Sequence, residues 1–180
     1  MKKYIAFLRA INVGGRNIKM DLLKKYFEEM KFKNIETYIA SGNIIFECDL
    51  KNEQIIENRI ENHLLKSLGY IVDAFVRTIS QVKNIAEYKP FNELELSSAK
   101  ALNVAFLKEP LVEEQKNKLE SLQSEIDFFH ANGKEVYWLC KKKQSESLFS
   151  NSVFEKSLKT KATFRGINTV HKLASKYSIL

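Results

Sequence analysis

A chain of 180 residues with 44% hydrophobic side chains is long enough to bury about 70% of its unfolded surface, so it needs neither disulfide nor metal to fold. The formal charge of +7 and a pI near 9.3 suit an anionic partner such as nucleic acid or nucleotide, and a general lysine-rich bias produces the same numbers. Cys48 and Cys140 lie far apart and read as small buried or half-buried hydrophobes; the first apolar run is shorter than the about 7 to 15 residues of a signal peptide, and no run reaches the about 18 of a membrane span, so the expectation is a cytoplasmic protein with no membrane partner.

Tyr4 to Leu8 is apolar between charges and predicts a strand buried on both faces. Met20 to Met30 sets Leu22, Leu23, Tyr26, Phe27 and Met30 at helical spacing. Glu36 to Ala40 and Ile44 to Cys48 flank Ser41, Gly42 and Asn43, which predicts a hairpin. Asn52 to Leu68 is a long amphipathic helix closed by Gly69. Val72 to Arg77 is a further strand, and Ser80 is placed to cap a short helix to Tyr88.

The same order then recurs. Asn103 to Leu107 reads as a strand, Leu111 to Leu122 as a helix, and Ile126 to His130 pairs with Glu135 to Cys140 through Ala131, Asn132 and Gly133. Ser147 to Leu158 is a helix, Lys161 to Arg165 a short strand, and Ile167 to Tyr177 a final amphipathic helix. IAFLR is echoed by VAFLK, and FVRT by TFRG. These patterns predict an α+β protein of two tandem ferredoxin-like β-α-β-β-α-β halves with covered antiparallel sheets, arisen by internal duplication. Residues 1–90 form the first half, with a long loop at 9–18, 101–180 the second, and 91–100 the joint.

Repetition makes the stretch FLRAINVGGRN informative. The second half manages the same connection with little more than Lys108, Glu109 and Pro110, so the first half carries an insertion the fold does not need. In this topology the first two strands run parallel with the third between them. The end of the first strand and the hairpin turn therefore share one sheet edge, and Arg77 lies at the opposite edge. Arg9, Asn12, Gly14, Gly15 and Asn17 should sit beside Ser41, Gly42 and Asn43, a rim of guanidinium, amide, hydroxyl and backbone N–H donors suited to an anion. A second cluster, Arg165, Asn168 and Lys172, stands at the start of the last helix, where unpaired N–H groups also favour an anion.

No complete catalytic or cofactor motif occurs. Gly14 and Gly15 belong to neither a P-loop nor a dinucleotide fingerprint. His63, His130 and His171 have no partners at metal-ligand spacing, so neither metal nor cofactor is expected. The carboxylates stand on helix faces with lysines nearby and read as solvated charge. Tyr38, Phe75, Tyr137 and Trp138 read as core rings, since NIIFE lacks the basic, glycine-containing pattern of an RNA-binding strand.

FLRAINVGGRN, TYIASGNIIF, FVRT and TFRGINTVHKL together resemble the signatures of the bacterial family called domain of unknown function 1697, over essentially the whole chain. Its opening usually reads F-L-R-G-I-N-V-G-G-x-N, so Ala10 stands where glycine is usual. Phe164, Gly166 and Ile167 stand where Thr, Asn and Trp are common. The resemblance implies a small cytoplasmic α+β protein with two related halves, and no activity.

Three readings of function follow. The first is a module binding nucleic acid or nucleotide through the 9–17 loop and the 41–43 turn. The second is an enzyme on a small anionic substrate with Arg9 as electrostatic clamp, weakened by the lack of an evident general base. The third is an interaction protein whose sheet edges build a homodimer.

Overall fold

The apolar run from Tyr4 to Leu8 forms the middle of β1 (Lys2–Arg9), and the whole of it is buried. The structure is a computed structural model and describes residues 1–12, 14–38 and 42–177. Ile39 and Ala40, the end of a predicted strand, and Ser41, a predicted ligand contact, lie outside the described residues. After β1 come α1 (Met20–Glu29), β2 (Lys33–Tyr38), β3 (Asn43–Cys48), α2 (Glu53–Leu68), β4 (Asp73–Thr78) and α3 (Ile79–Glu87). There follow α4 (Glu93–Ser98), β5 (Ala101–Phe106), α5 (Glu113–Glu120), β6 (Asp127–Asn132), β7 (Glu135–Cys140), a 3₁₀ turn (Gln144–Glu146), α6 (Asn151–Leu158), β8 (Thr163–Gly166) and α7 (Ile167–Tyr177).

The strands make two four-stranded antiparallel sheets, ordered β2-β3-β1-β4 and β6-β7-β5-β8, each with flanking helices. This is the pattern of two tandem β-α-β-β-α-β halves. The register repeats as well as the order: Ile5 lies opposite Arg77 and Val104 opposite Arg165, while Lys2 faces Cys48 and Ala101 faces Cys140. The chain divides into two compact units, Met1–Gln81 and Val82–Leu180, with the division inside α3. Among the described residues no helix is long and apolar enough to cross a membrane.

In the first unit Tyr4, Ala6 and Leu8 meet Leu23 and Phe27 of α1 and Ile56, Ile60 and Leu64 of α2. Phe46 gathers three rings around it, with centroids of Phe32 at 4.6 Å, Phe27 at 5.5 Å and Tyr4 at 5.9 Å. The second unit has its own aromatic core, in which Phe149 lies 4.7 Å from Trp138 and 4.6 Å from Phe129. Phe75, Tyr137 and Trp138 are core residues as read from the sequence, whereas Tyr38 at the end of β2 is only half-buried; Cys48 and Cys140 are buried free thiols.

Glu57 and Glu61 correct the reading of the carboxylates as solvated. Glu57 is buried, and its Oε1 accepts from Val76 N at 2.8 Å; Glu61 Oε1 accepts from Ala74 N at 2.9 Å. Four residues on a helix and two residues on a strand advance nearly alike, about 6 Å and about 6.8 Å. The i, i+4 pair on α2 therefore serves alternate N–H groups of the edge strand β4, which would otherwise lack partners.

Three local readings also shift. Thr78 rather than Ser80 caps α3, because Thr78 N donates to Gln81 Oε1 (2.6 Å) while Gln81 N donates to Thr78 Oγ1 (3.2 Å). The presumed joint contains α4, fixed by an equivalent box between Asn92 and Glu95. The helix read from Ser147 begins only at Asn151, where Ser150 Oγ accepts from Val153 N.

Candidate functional site

The edge at the end of β1 is built by one close approach. Leu8 N donates to Gly42 O at 2.8 Å, and a Cβ on Gly42 would come within 2.9 Å of Ile11 Cγ2 and 3.1 Å of Leu8 Cβ. Gly42 also has φ +78, which L side chains rarely adopt. The hairpin turn and the start of the loop are thus neighbours, as the topology requires. Asn43, fully buried, donates from Nδ2 to Tyr38 O at 2.9 Å and so closes the hairpin on itself.

Residues 10–19 separate β1 from α1, whereas only 107–112 separate β5 from α5. The loop is anchored at both ends by buried aliphatic side chains, Ile11 and Ile18. Asn12 Oδ1 accepts from Ile18 N at 2.8 Å across the loop, which draws those anchors together. Tyr70 donates to Ile11 O at 3.2 Å, and its ring lies 4.1 Å beneath the Arg16 guanidinium. Gly14 and Gly15 have φ +65 and +79, and a Cβ on either would meet nothing within 4 Å. Their requirement is backbone conformation, not space. Residues 14–17 are all exposed between the anchors, Asn17 included.

Arg9 is engaged within the protein. It pairs in register with Asp73 on β4, and Nη1 lies 3.2 Å from Asp73 Oδ2, the arginine half-buried and the aspartate buried. Arg16 and Lys19 are the exposed cations of the loop. Tyr70 had no local signal in the sequence, because it follows α2 and reaches the loop only through the fold. Arg77 pairs with Ile5 in the middle of β1, four residues from Arg9, and is buried, so it lies away from the loop but not at the far end of β1.

The second cluster belongs to the second unit and is split by burial. Arg165 is buried, with Nη1 donating to Thr163 Oγ1 at 2.8 Å and to Phe164 O at 2.9 Å, and burial lowers its pKa to about 10. Asn168 and Lys172 are exposed on α7. The guanidinium is therefore not presented to solvent beside them.

Elsewhere the usual reactive groups are quiet. Burial pushes the thiols of Cys48 and Cys140 above their ordinary pKa, and each donates to the carbonyl two residues on, Leu50 and Lys142. Among the described residues no group of three His, Cys, Asp or Glu side chains is placed to hold a metal ion.

The sequence model of the family described as "Protein of unknown function (DUF1697)" matches residues 1–137. No curated protein matches the chain. Among solved structures, the chain is similar to the conserved bacterial protein SP0830 from Streptococcus pneumoniae, with a TM-score of 0.74 and 22% identity over 99% of each chain. At that identity the likeness is one of fold.

Proposed function

The chain belongs to the DUF1697 family, and from that premise we propose that it is a cytoplasmic binding module for a phosphate-bearing partner, nucleic acid or nucleotide, held at the loop 9–17 beside Gly42. The two halves are taken as copies of one duplicated unit, the first of which gained the loop. The observation that carries the reading is the exposed stretch 14–17, where Gly14 and Gly15 take the left-handed conformation between buried anchors on both sides. Glycines in that conformation carry no side chain over their N–H groups, so the backbone can come close to an anion. Arg16 supplies the charge: its plane rests on Tyr70, and its N–H edges are left for phosphate oxygens. Lys19 adds a second cation at the start of α1, while Arg9, already paired with Asp73, orients the edge.

Anisotropy titrations of a labelled single strand, a duplex and a nucleoside triphosphate at low and moderate salt test this. Binding should fall steeply with salt, by a log–log slope of about 0.7 to 0.9 per phosphate neutralised. Arg16→Ala should weaken it and Arg9→Ala should do so less. Affinity that is absent, indifferent to salt or unchanged in Arg16→Ala would falsify the proposal.

A further inference from the structure

Independently of the loop, the second unit contains a concave site that nothing in that reading uses. Asp127 opens β6 opposite Cys140, with its side chain turned to the aromatic core. Its Oδ1 accepts from Trp138 Nε1 at 2.8 Å, and its Oδ2 accepts from Ser147 Oγ at 2.7 Å and, more weakly, from Ser124 Oγ at 3.4 Å. Asp127 is 4% exposed, and among the described residues no ion pair neutralises it. A buried carboxylate held only by neutral donors is an unbalanced charge. In the first unit the corresponding end of β2 is filled instead by Phe32, stacked on Phe46 at 4.6 Å.

Asp127 lines a cavity of about 490 Å³ whose other walls are largely apolar, from Leu122, Ile126, Phe149 and Val153, and Glu125 is its second carboxylate. The volume falls within the about 300 to 1,000 Å³ of sites that enclose a small organic molecule. In a chain with 29 lysines and arginines against 22 acidic residues, no lysine or arginine lines it. Leu148, also on its rim, is 96% exposed beside the buried Phe149. An aliphatic side chain left in water is a poor resting state that an apolar occupant would relieve. Ser147 ties this segment to Asp127 at one end and accepts from Phe149 N at 2.9 Å at the other, so the rim and the carboxylate are linked.

We propose that the cavity between α5, the start of β6 and the start of α6 binds a small organic ammonium ion, its apolar body against Phe149 and Val153, its N–H donors toward Asp127, and Leu148 closing over it. Calorimetric titration of the intact protein with phenethylamine, phenethyl alcohol and phenylacetate separates the contributions. The amine should bind about tenfold or more tighter than the alcohol, and the acid should not bind. Asp127→Asn, which keeps an acceptor for Trp138, should abolish the preference for the amine. Leu148→Ser, at a site already in water, should leave the fold intact and weaken all binding. If Asp127→Asn proves unstable, the probe series and Leu148→Ser decide alone. Equal affinity for the three probes, no binding of the amine, or binding unchanged in Leu148→Ser overturns the proposal, as does a lysine-bearing peptide that binds there when phenethylamine does not.

Discussion

Gly42 and Ile11 approach so closely that the missing side chain of one is the space occupied by the other: a Cβ on Gly42 would lie 2.9 Å from Ile11 Cγ2. The hairpin turn and the loop are one packed edge because of that pair. Gly42→Ala combines a left-handed residue, costing about 1 to 2 kcal/mol, with an overpacked contact of about 1 to 3 kcal/mol. Urea unfolding should show a loss of about 2 to 5 kcal/mol, and the sum is an upper bound if Ile11 yields. A loss below about 1 kcal/mol would show that the contact is soft.

Ala10 is the converse case. It has φ +61 at the residue where β1 ends, and it stands where the family signature usually has glycine. Ala10→Gly removes the left-handed penalty and gives back part of it as unfolded-chain entropy, for a net gain of about 0.5 to 1 kcal/mol. Lys159, with φ +51 after α6, should respond to Lys159→Gly in the same direction. Thermal melts of the two variants should move upward, and a fall in either would contradict the strain assigned to it.

The pairing of Arg9 with Asp73 makes a prediction about coupling. Their separation is 3.2 Å with Asp73 buried, so a double-mutant cycle of Arg9→Ala and Asp73→Ala should return an interaction energy of about 1 kcal/mol, above the median of exposed pairs. Arg9→Ala alone should be the more damaging single change, since it strands the buried carboxylate of Asp73 whereas the half-buried guanidinium can turn to water. A cycle that closes to zero would return Arg9 to the list of available cations.

Tyr137 governs an alkaline effect. Its hydroxyl donates to Ile85 O at 2.8 Å, and burial raises the phenol pKa well beyond the ordinary tyrosine value of 10.0. A pKa raised on folding means that the folded chain keeps a proton the unfolded chain loses. The contribution is therefore complete below pH about 10 and declines as pH climbs above it. Tyr137→Phe should lower stability at neutral pH through the lost hydrogen bond and flatten the decline above pH about 10. In spectrophotometric titration one tyrosine should ionise only as the protein unfolds.

Much of the fold was legible because its signals are local. The period of Leu23, Phe27 and Met30, the αL stop at Gly69 and the run from Tyr4 to Leu8 are set within a turn or a strand, and the helix from Ile167 to Tyr177 has the bounds its pattern predicts. The short helix α4 has a capping box in Asn92 and Glu95, but its six residues are too few to carry a helical period. At the candidate site, the neighbourhood of loop and turn followed from strand order alone.

Local signals suffice for the order of the strands and principal helices, the repeated β-α-β-β-α-β frame and the surplus loop between β1 and α1. All three follow from spacing along the chain and from residues that permit or forbid particular backbone angles. The tertiary structure decided which polar groups are spoken for. Arg9 is answered by Asp73 across the sheet, Asn43 by Tyr38 across the hairpin, and Arg16 by Tyr70 after a remote helix. Glu57 and Glu61 are drawn to the N–H groups of β4, and Asp127 to Trp138. Those pairings depend on the register and depth of segments distant in the chain. A charged or amide side chain carries the same letter whether it meets water, a ligand or a buried partner, and only packing distinguishes them.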